Sequence, residues 1–317
     1  MLILENLTAE VPDTNAYHFN FKKFSDDDKK TVLLYGYNSS NNKLLETDLC
    51  DYKKILFNNW APCEFAQVKD HNGKSPMDYE EKFDVVYSIC PYTVEWMNNL
   101  HLGREYRYIF YPFCKTLTPE KQEKKYDVIY HGGIHAKEHV DCLKVMSKFN
   151  YRYCTMTTHI NSLTRHFLPY ATNTNLKFKD KINLVAESKV SVCYNMAQVH
   201  KEHIPRIKSR PEYKKNLAFS SIDTLAAMPQ FKTRFHEAAI SRTLNLVRKD
   251  DWNVIEDFYT PEEDFVYFDN EIDLEKKIKE VLNNWGDYQQ IVENAYIKSM
   301  NYTTEKFIEK IKKDNTQ

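Results

Sequence analysis

The chain has 317 residues, enough for two ordinary domains. Its 44 basic and 45 acidic residues leave a net charge of -1, which excludes a global electrostatic pull toward nucleic acid or an anionic membrane. Its seven cysteines are dispersed from Cys50 to Cys193 without paired spacing, which excludes a disulfide framework and a zinc knuckle and points to reduced thiols.

Residues 1–30 read as irregular and end in the charged run FSDDDKK. The opening MLILENLTAEVPD lacks a basic region leading into a long apolar core, so no signal peptide is expected. No run approaches the roughly 18–20 apolar residues of a membrane span. A soluble, cytoplasmic protein is the expectation, and the Lys/Asn/Tyr-rich composition suggests an AT-rich bacterial, phage or viral genome.

Thr31 to Tyr37 (TVLLYGY) reads as a buried first strand that closes in the turn-forming set Gly36, Tyr37, Asn38 and Ser39. Lys54 to Phe57, Asp84 to Ile89 and Tyr108 to Tyr111 follow as strands, with CPYTVEWMNN as a loop running into a short helix. These strands are short, apolar and not strictly alternating, which fits strands covered on both faces. Thr116 to Lys125 (TLTPEKQEKK) is a polar, proline-bearing linker.

Tyr126 to Tyr130 then reads as a new strand, followed directly by His131-Gly132-Gly133. A helix over 136–149, a strand from Tyr151 to Met156, a short helix from Ile182 to Ala186 and a strand from Val190 to Tyr194 are expected, the last ending at Asn195. Met196 to Ala227 reads as an insertion, locally basic through His200, Lys201, His203, Arg206, Lys208, Arg210, Lys214 and Lys215. From Phe231 to Asn284 the pattern is helix, strand, loop, strand, helix. The first helix carries Glu237, the strands are built on Leu244–Val247 and Phe265–Phe268, and the last helix has apolar positions Ile272, Leu274, Ile278, Val281 and Leu282. Asn270 is the expected N-cap of that helix, with Asp273 as its capping partner. From Asp287 onward the chain reads as mostly helical. Strands separated by helices predict parallel α/β layers, in which sites form beyond the carboxyl ends of the strands.

The segment from Phe231 to Asn284 resembles the nucleotide-sugar-binding half of GT-B glycosyltransferases, of the spore-maturation (CgeB-type) and group 1 families. Lys232, Arg234, Phe235, Glu237, Ala238, Val266, Phe268, Asp269 and Leu274 match the family pattern, and Ser188, Lys189, Val190 and Asn195 match the strand that precedes it. The resemblance covers residues 126–284 in pattern and the first half in architecture only. It implies an α/β fold with two Rossmann-like domains facing a cleft: residues 1–118 an acceptor domain, 119–286 a donor domain, and 287–317 a helix crossing back over the first domain. It also implies that Glu237 holds the ribose hydroxyls of the donor nucleotide and that the neighbouring basic residues face its diphosphate. Two positions depart from the family: Pro229 stands where many retaining members carry a first glutamate, and Ser241 where a glycine often follows.

Each of these residues has a plainer reading as well. A helix glutamate is most often solvent-exposed, though the carboxylate of Glu237 could accept two hydrogen bonds from a ribose diol. Arg234 and Lys232 could be a solvated basic helix start or a diphosphate contact at a helix N-terminus, where Arg offers bidentate geometry. His131, Gly132 and Gly133 could be a simple strand–helix turn, or a loop whose backbone approaches a phosphate or sugar closely. Lys137 is placed either to reach a phosphate or to lie on the surface. Thr155, Met156, Thr157 and Thr158 follow a strand where the fold often recognises the base, and Asn195 sits at a strand end. In the first half, Tyr37, Asn38, Asn59, Trp60, Glu64, Pro91 and Tyr92 lie at strand ends that could line an acceptor cleft. Glu64 would be the general base of an inverting reaction. His135 and His139 flank Glu138 in HAKEH, which is not a known zinc motif, so no metal site is expected.

The resemblance implies transfer of a sugar from a UDP- or GDP-sugar to the hydroxyl of a glycan or other acceptor, metal-independent, without a further cofactor and with retention of configuration. The rivals are another two-domain nucleotide-sugar enzyme such as an epimerase, a nucleotide-sugar-binding protein with a degenerate site, and a nucleic-acid acceptor reached by the basic insertion.

Overall fold

The computed structural model describes residues 2–5, 30–35, 49–58, 80–99, 101, 103–134, 137–156, 169–200, 218–219, 225–250 and 252–315. Tyr37, Asn38, Asn59, Trp60, Glu64, His135, Thr157, Thr158 and most of the basic insertion lie outside them.

The first sheet contains β1 (Leu2–Glu5), β2 (Thr31–Tyr35), β3 (Lys53–Asn58), β4 (Val85–Ser88) and β5 (Glu105–Tyr108). The strands run parallel in the order β1-β2-β3-β4-β5, and α1 (Pro91–Asn99) links the last two. The chain then passes through the polar stretch after Pro112 into β6 (Tyr126–His131), α2 (Lys137–Met146), β7 (Tyr151–Thr155), β8 (Asn173–Thr174), α3 (Phe178–Ala186) and β9 (Ser188–Cys193). Three short strands follow, β10 (Met196–His200), β11 (Ala218–Phe219) and β12 (Leu225–Pro229), which pair antiparallel in a small sheet of their own. Next come α4 (Thr233–Ile240), β13 (Leu244–Arg248), β14 (Val266–Phe268), α5 (Glu271–Asn283), α6 (Gln289–Ser299) and α7 (Thr304–Asp314).

The second large sheet is parallel, in the order β14-β13-β9-β6-β7-β8. The chain enters at β6, builds outward through β7 and β8, and returns to β9 on the other side of β6. The strand order therefore reverses between β6 and β9, which is the topological switch point where open α/β sheets form their ligand crevice.

Period-two alternation explains how both faces are covered. Along β6, Val128 and Tyr130 pack with Val140 and Leu143 of α2 and with Leu274 and Ile278 of α5. Ile129 points the other way, to Val185 of α3 and Ala238 of α4. In the first sheet Leu33 is level with Ile55, and Ile55 with Val85; Phe57 is level with Tyr87. These side chains share one core with Phe307, Ile308 and Ile311 of α7. Phe57 and Phe307 meet edge to face at 4.7 Å. Arg107 donates to the Asp314 carbonyl at 2.7 Å, and a bridge joins Phe113 to Thr303. The last helix is thus bound to the first sheet while α5 and α6 belong to the second.

Several sequence expectations change. The first thirty residues are not wholly irregular, because Leu2–Glu5 pairs with β2 as a parallel edge strand. The strand expected at Tyr108–Tyr111 lies earlier, at Glu105–Tyr108: β5 carries the charged Glu105 and Arg107 on a sheet edge, where polar side chains alternate outward. The insertion after Asn195 holds a small antiparallel sheet. Asn270 caps α5 as expected, its Oδ1 accepting from Ile272 and Asp273 at 3.0 Å each. Ile272 is not on the buried stripe of that helix; it is 74% exposed. His139 is buried in the core against Tyr194, with ring centroids 4.2 Å apart.

Lys124 is a further consequence of the packing. Its ammonium donates to the Ala186 carbonyl at the end of α3 (2.8 Å) and to Thr243 Oγ1 (3.2 Å). Burial lowers its pKa to about 7, with Lys121 and Arg242 adding to the effect. Above that pH the folded chain holds one proton fewer here than the unfolded chain, so this group makes stability rise with pH up to the ordinary lysine range. We expect the urea-unfolding free energy of wild type, relative to Lys124→Met, to climb by about 1 kcal/mol per pH unit between pH 7.5 and 9.5. Comparison with the variant cancels the opposite trend from the buried thiols of Cys142, Cys154 and Cys193, which burial raises to about 12. Parallel pH profiles for the two proteins would contradict this assignment.

Candidate donor site at the switch point

The carboxyl ends of β6 and β9 and the start of α4 bring together most of the residues singled out in the second half. His131 is the last residue of β6, and Gly132 follows with φ +154°, a conformation that L side chains rarely adopt. The Gly132 N–H is held by the Cys154 carbonyl at 2.9 Å. The missing side chain has a direct use, since a Cβ on Gly132 would lie 2.2 Å from an Arg234 Nη and 2.6 Å from its Cζ. The guanidinium of Arg234 therefore lies against the glycine. It donates to the Tyr130 hydroxyl at 3.1 Å and sits 5.1 Å from the centre of that ring. Tyr130 in turn donates to the Gly133 carbonyl at 2.8 Å, tying the loop to the arginine.

Asn195, fully buried just after β9, orients the start of α4. Its Oδ1 accepts from the Lys232 N–H at 3.0 Å, and its carbonyl accepts from Gln230 at 3.0 Å. Lys232 is the N-cap residue of α4, and its ammonium donates to Gln230 Oε1. The first turn of the helix thus opens beside the Gly132–Gly133 loop, with Arg234 between them. A helix start and a guanidinium in one place favour an anion.

Glu237 lies one turn further along α4 and is buried, at 4% exposure. The ordinary fate of a helix glutamate does not apply here, because both oxygens meet cations or donors. Lys181 of α3 donates to Oε1 at 2.9 Å, and His131 Nδ1 lies 2.8 Å from Oε2. The other ring nitrogen of His131 is 3.1 Å from Ser191 Oγ. Burial pushes His131 below the usual imidazole range, against the opposite pull of Glu237. Burial favours the neutral ring, whose Nδ1 faces the carboxylate and whose Nε2 faces the Ser191 hydroxyl. This Ser–His–Glu connectivity resembles a nucleophilic triad, but Ser191 is fully buried within β9, so it serves orientation and not attack.

Thr155 ends β7 beside β6 and is buried. Lys137 opens α2, with its side chain outside the described residues. Pro229 ends β12, where the family pattern has its first glutamate. Among the described residues no group of three or more His, Cys, Asp or Glu is arranged to hold a metal ion. Sequence reading missed Lys181, Tyr130 and Ser191. Lys181 fell outside a helix expected to begin at Ile182; α3 starts at Phe178, and its buried Phe178, Ile182 and Val185 show the stripe that would have placed the lysine on it.

Two Rossmann-like sheets joined by a C-terminal helix, with a glycine loop and a basic helix start at the switch point of the second large sheet, define the GT-B class of fold. Residues 165–312, just under half of the chain, match the glycosyl transferase-like family. Among solved structures, a mutant form of TarM of S. aureus, in a complex with fondaparinux, α-GlcNAc-glycerol and UDP, superposes with a TM-score of 0.57 at 13% identity, over 94% of this chain and 57% of TarM. Sucrose-phosphate synthase from Thermosynechococcus elongatus gives 0.56 at 9% identity, over 90% of this chain and 72% of its own. HepE from Anabaena, with UDP and glucose, gives 0.53 at 9% identity, over 89% and 77%. The chain thus spans little more than half the length of TarM. A search of the curated proteins finds no match.

Proposed function

We propose that the chain is a glycosyltransferase that moves a sugar from a nucleotide-diphosphate sugar to an acceptor hydroxyl. The observation that carries this reading is the guanidinium of Arg234 laid on Gly132 at the start of α4. A family match over residues 165–312 and the UDP held by TarM and HepE support it.

In this reading residues 119–286 hold the donor, residues 1–118 hold the acceptor, and 287–317 tie the two together. Arg234, Lys232, Lys137, the 131–133 backbone and the first turn of α4 take the diphosphate. Glu237 takes the ribose, Asn195 sets the start of α4, and Thr155 and Thr157 border the base. As the acceptor oxygen bonds to the anomeric carbon, the bond from that carbon to the diphosphate breaks, negative charge grows on the leaving oxygens, and the acceptor's hydroxyl proton passes to the departing diphosphate. A fixed guanidinium and helix N–H groups stabilise that charge in place of a metal. Retention of configuration goes with the family resemblance. Inversion would instead call on Glu64 as base.

One observation favours a second reading, a nucleotide-sugar-binding protein without turnover: Pro229 replaces the first glutamate. Thermal unfolding of the protein with UDP, GDP, ADP and CDP and their sugars, followed by release of free nucleotide from the best sugar, separates the two. Stabilisation by one nucleotide class with release of the diphosphate supports transfer. Stabilisation without release favours binding alone, and a flat response to all of them would remove the donor site.

A further inference from the structure

Tyr108 is the last residue of β5, at the carboxyl edge of the first sheet. Its hydroxyl donates to Asp257 Oδ2 at 3.0 Å. Asp257 closes a short 3-10 turn, Val254–Asp257, on the connection from β13 to β14 of the second large sheet. Val254 and Ile255 bury that turn, so the hydrogen bond joins a fixed point of one sheet to a fixed point of the other. Burial pushes the Tyr108 phenol up and the Asp257 charge adds to it, so the hydroxyl keeps its proton and remains a donor. Beside this pair stands an aromatic joint. The Tyr108 ring lies 5.7 Å from Phe258. Tyr302, between α6 and α7, donates to the Phe258 carbonyl at 2.7 Å, and its ring is 5.2 Å from Phe110 and 5.5 Å from Phe258. Two backbone bonds cross the same joint: the Phe113 N–H donates to the Tyr302 carbonyl at 3.1 Å, and the Thr304 N–H to the Phe113 carbonyl at 2.9 Å. Apolar packing is non-directional and tolerates small rotations. A hydrogen bond to a charged acceptor weakens steeply once it bends. The Tyr108–Asp257 pair therefore fixes an angle that the rings leave free.

We propose that Tyr108 and Asp257 form a latch that holds the carboxyl edges of the two large sheets in the arrangement seen here, with Tyr302 as the pivot beside it. The latch stands apart from Arg234 and Gly132 and acts whatever the cleft between the sheets binds. Its loss falls on the joint and leaves the interior of either sheet intact.

The test is amide hydrogen exchange in wild type, Tyr108→Phe, Asp257→Ala and the double variant. Tyr108→Phe keeps the ring beside Phe258 and removes only the hydroxyl. The Phe113 and Thr304 amides, which bond across the joint, are the reporters, and the amides of β9, within the second sheet, are the control. Each single variant is expected to raise exchange at the reporters by about tenfold, the size of a hydrogen bond to a charged group. The β9 amides should keep their wild-type rates, and the double variant should exchange no faster than the singles. Unchanged reporters in Tyr108→Phe overturn the latch. Effects that add in the double variant overturn it too, because the two residues would then act separately. Equal loss of protection in β9 also overturns it, since the change would then be general loosening and not opening at the joint.

Discussion

Gly132→Ala is expected to fold and yet to lose about two orders of magnitude in nucleoside-diphosphate affinity. The new methyl group would meet the Arg234 guanidinium at 2.2 Å, but what it meets is the far end of a flexible side chain. The arginine can swing away without moving a strand. Backbone strain at φ +154° adds a cost of about 1–3 kcal/mol, which a two-domain protein tolerates. What cannot survive is the guanidinium's place between the loop and α4. Losing one bidentate, charge-assisted contact to a diphosphate costs about 1.5–3 kcal/mol, and loosening the loop adds to it. Titration of UDP into both proteins, beside their thermal transitions, reads the two effects separately. Equal affinity in the variant would show that Arg234 does not contact the ligand.

Glu237→Ala is expected to be the most damaging single change to stability at the site, by about 3 kcal/mol. It removes the partner of His131, whose side chain is fully buried, and of Lys181, which reaches solvent with a quarter of its surface. The lysine can rehydrate, which places the loss at the lower end for a broken buried pair. Glu237→Gln separates stability from function. Its carbonyl can still accept from Lys181, and its amide can donate to an unprotonated Nδ1 of His131. We expect about 1 kcal/mol of lost stability together with most of the loss in ribose discrimination. Urea unfolding compares the three proteins. Equal stability in Glu237→Ala would mean that the carboxylate bears little of the packing between α3, α4 and β6.

The parallel α/β architecture was legible because its strands are short apolar runs between amphipathic helices, as in YDVIY and the Leu244–Val247 run. Gly132 and Arg234 were also legible as candidates, since a glycine pair after a strand and a basic helix start have direct physical uses, whereas Glu237 stood out only through the family resemblance. Their mutual contacts were not. His131 and Glu237 come together only because β6 lies beside β9 at the switch point and α4 crosses that edge, a fact of strand order and not of local pattern. The strand ending near Tyr108 was misplaced because YIFY is more apolar than EYRY, although EYRY is what pairs with β4. Leu2–Glu5 was passed over because so short a strand next to a long polar stretch carries little periodic signal. Ile272 fits the helical spacing yet faces solvent, because it falls in the first turn, where Asn270 and Asp273 set the start of the helix.

A nucleoside diphosphate at the carboxyl edge of β6 and β9 is what the proposed function requires. A crystal structure grown with UDP tests it most directly. The diphosphate is expected within hydrogen-bond distance of Arg234 and the Gly132–Gly133 backbone, with the ribose hydroxyls on Glu237. UDP bound elsewhere, or bound with its ribose out of reach of Glu237, is the opposing result.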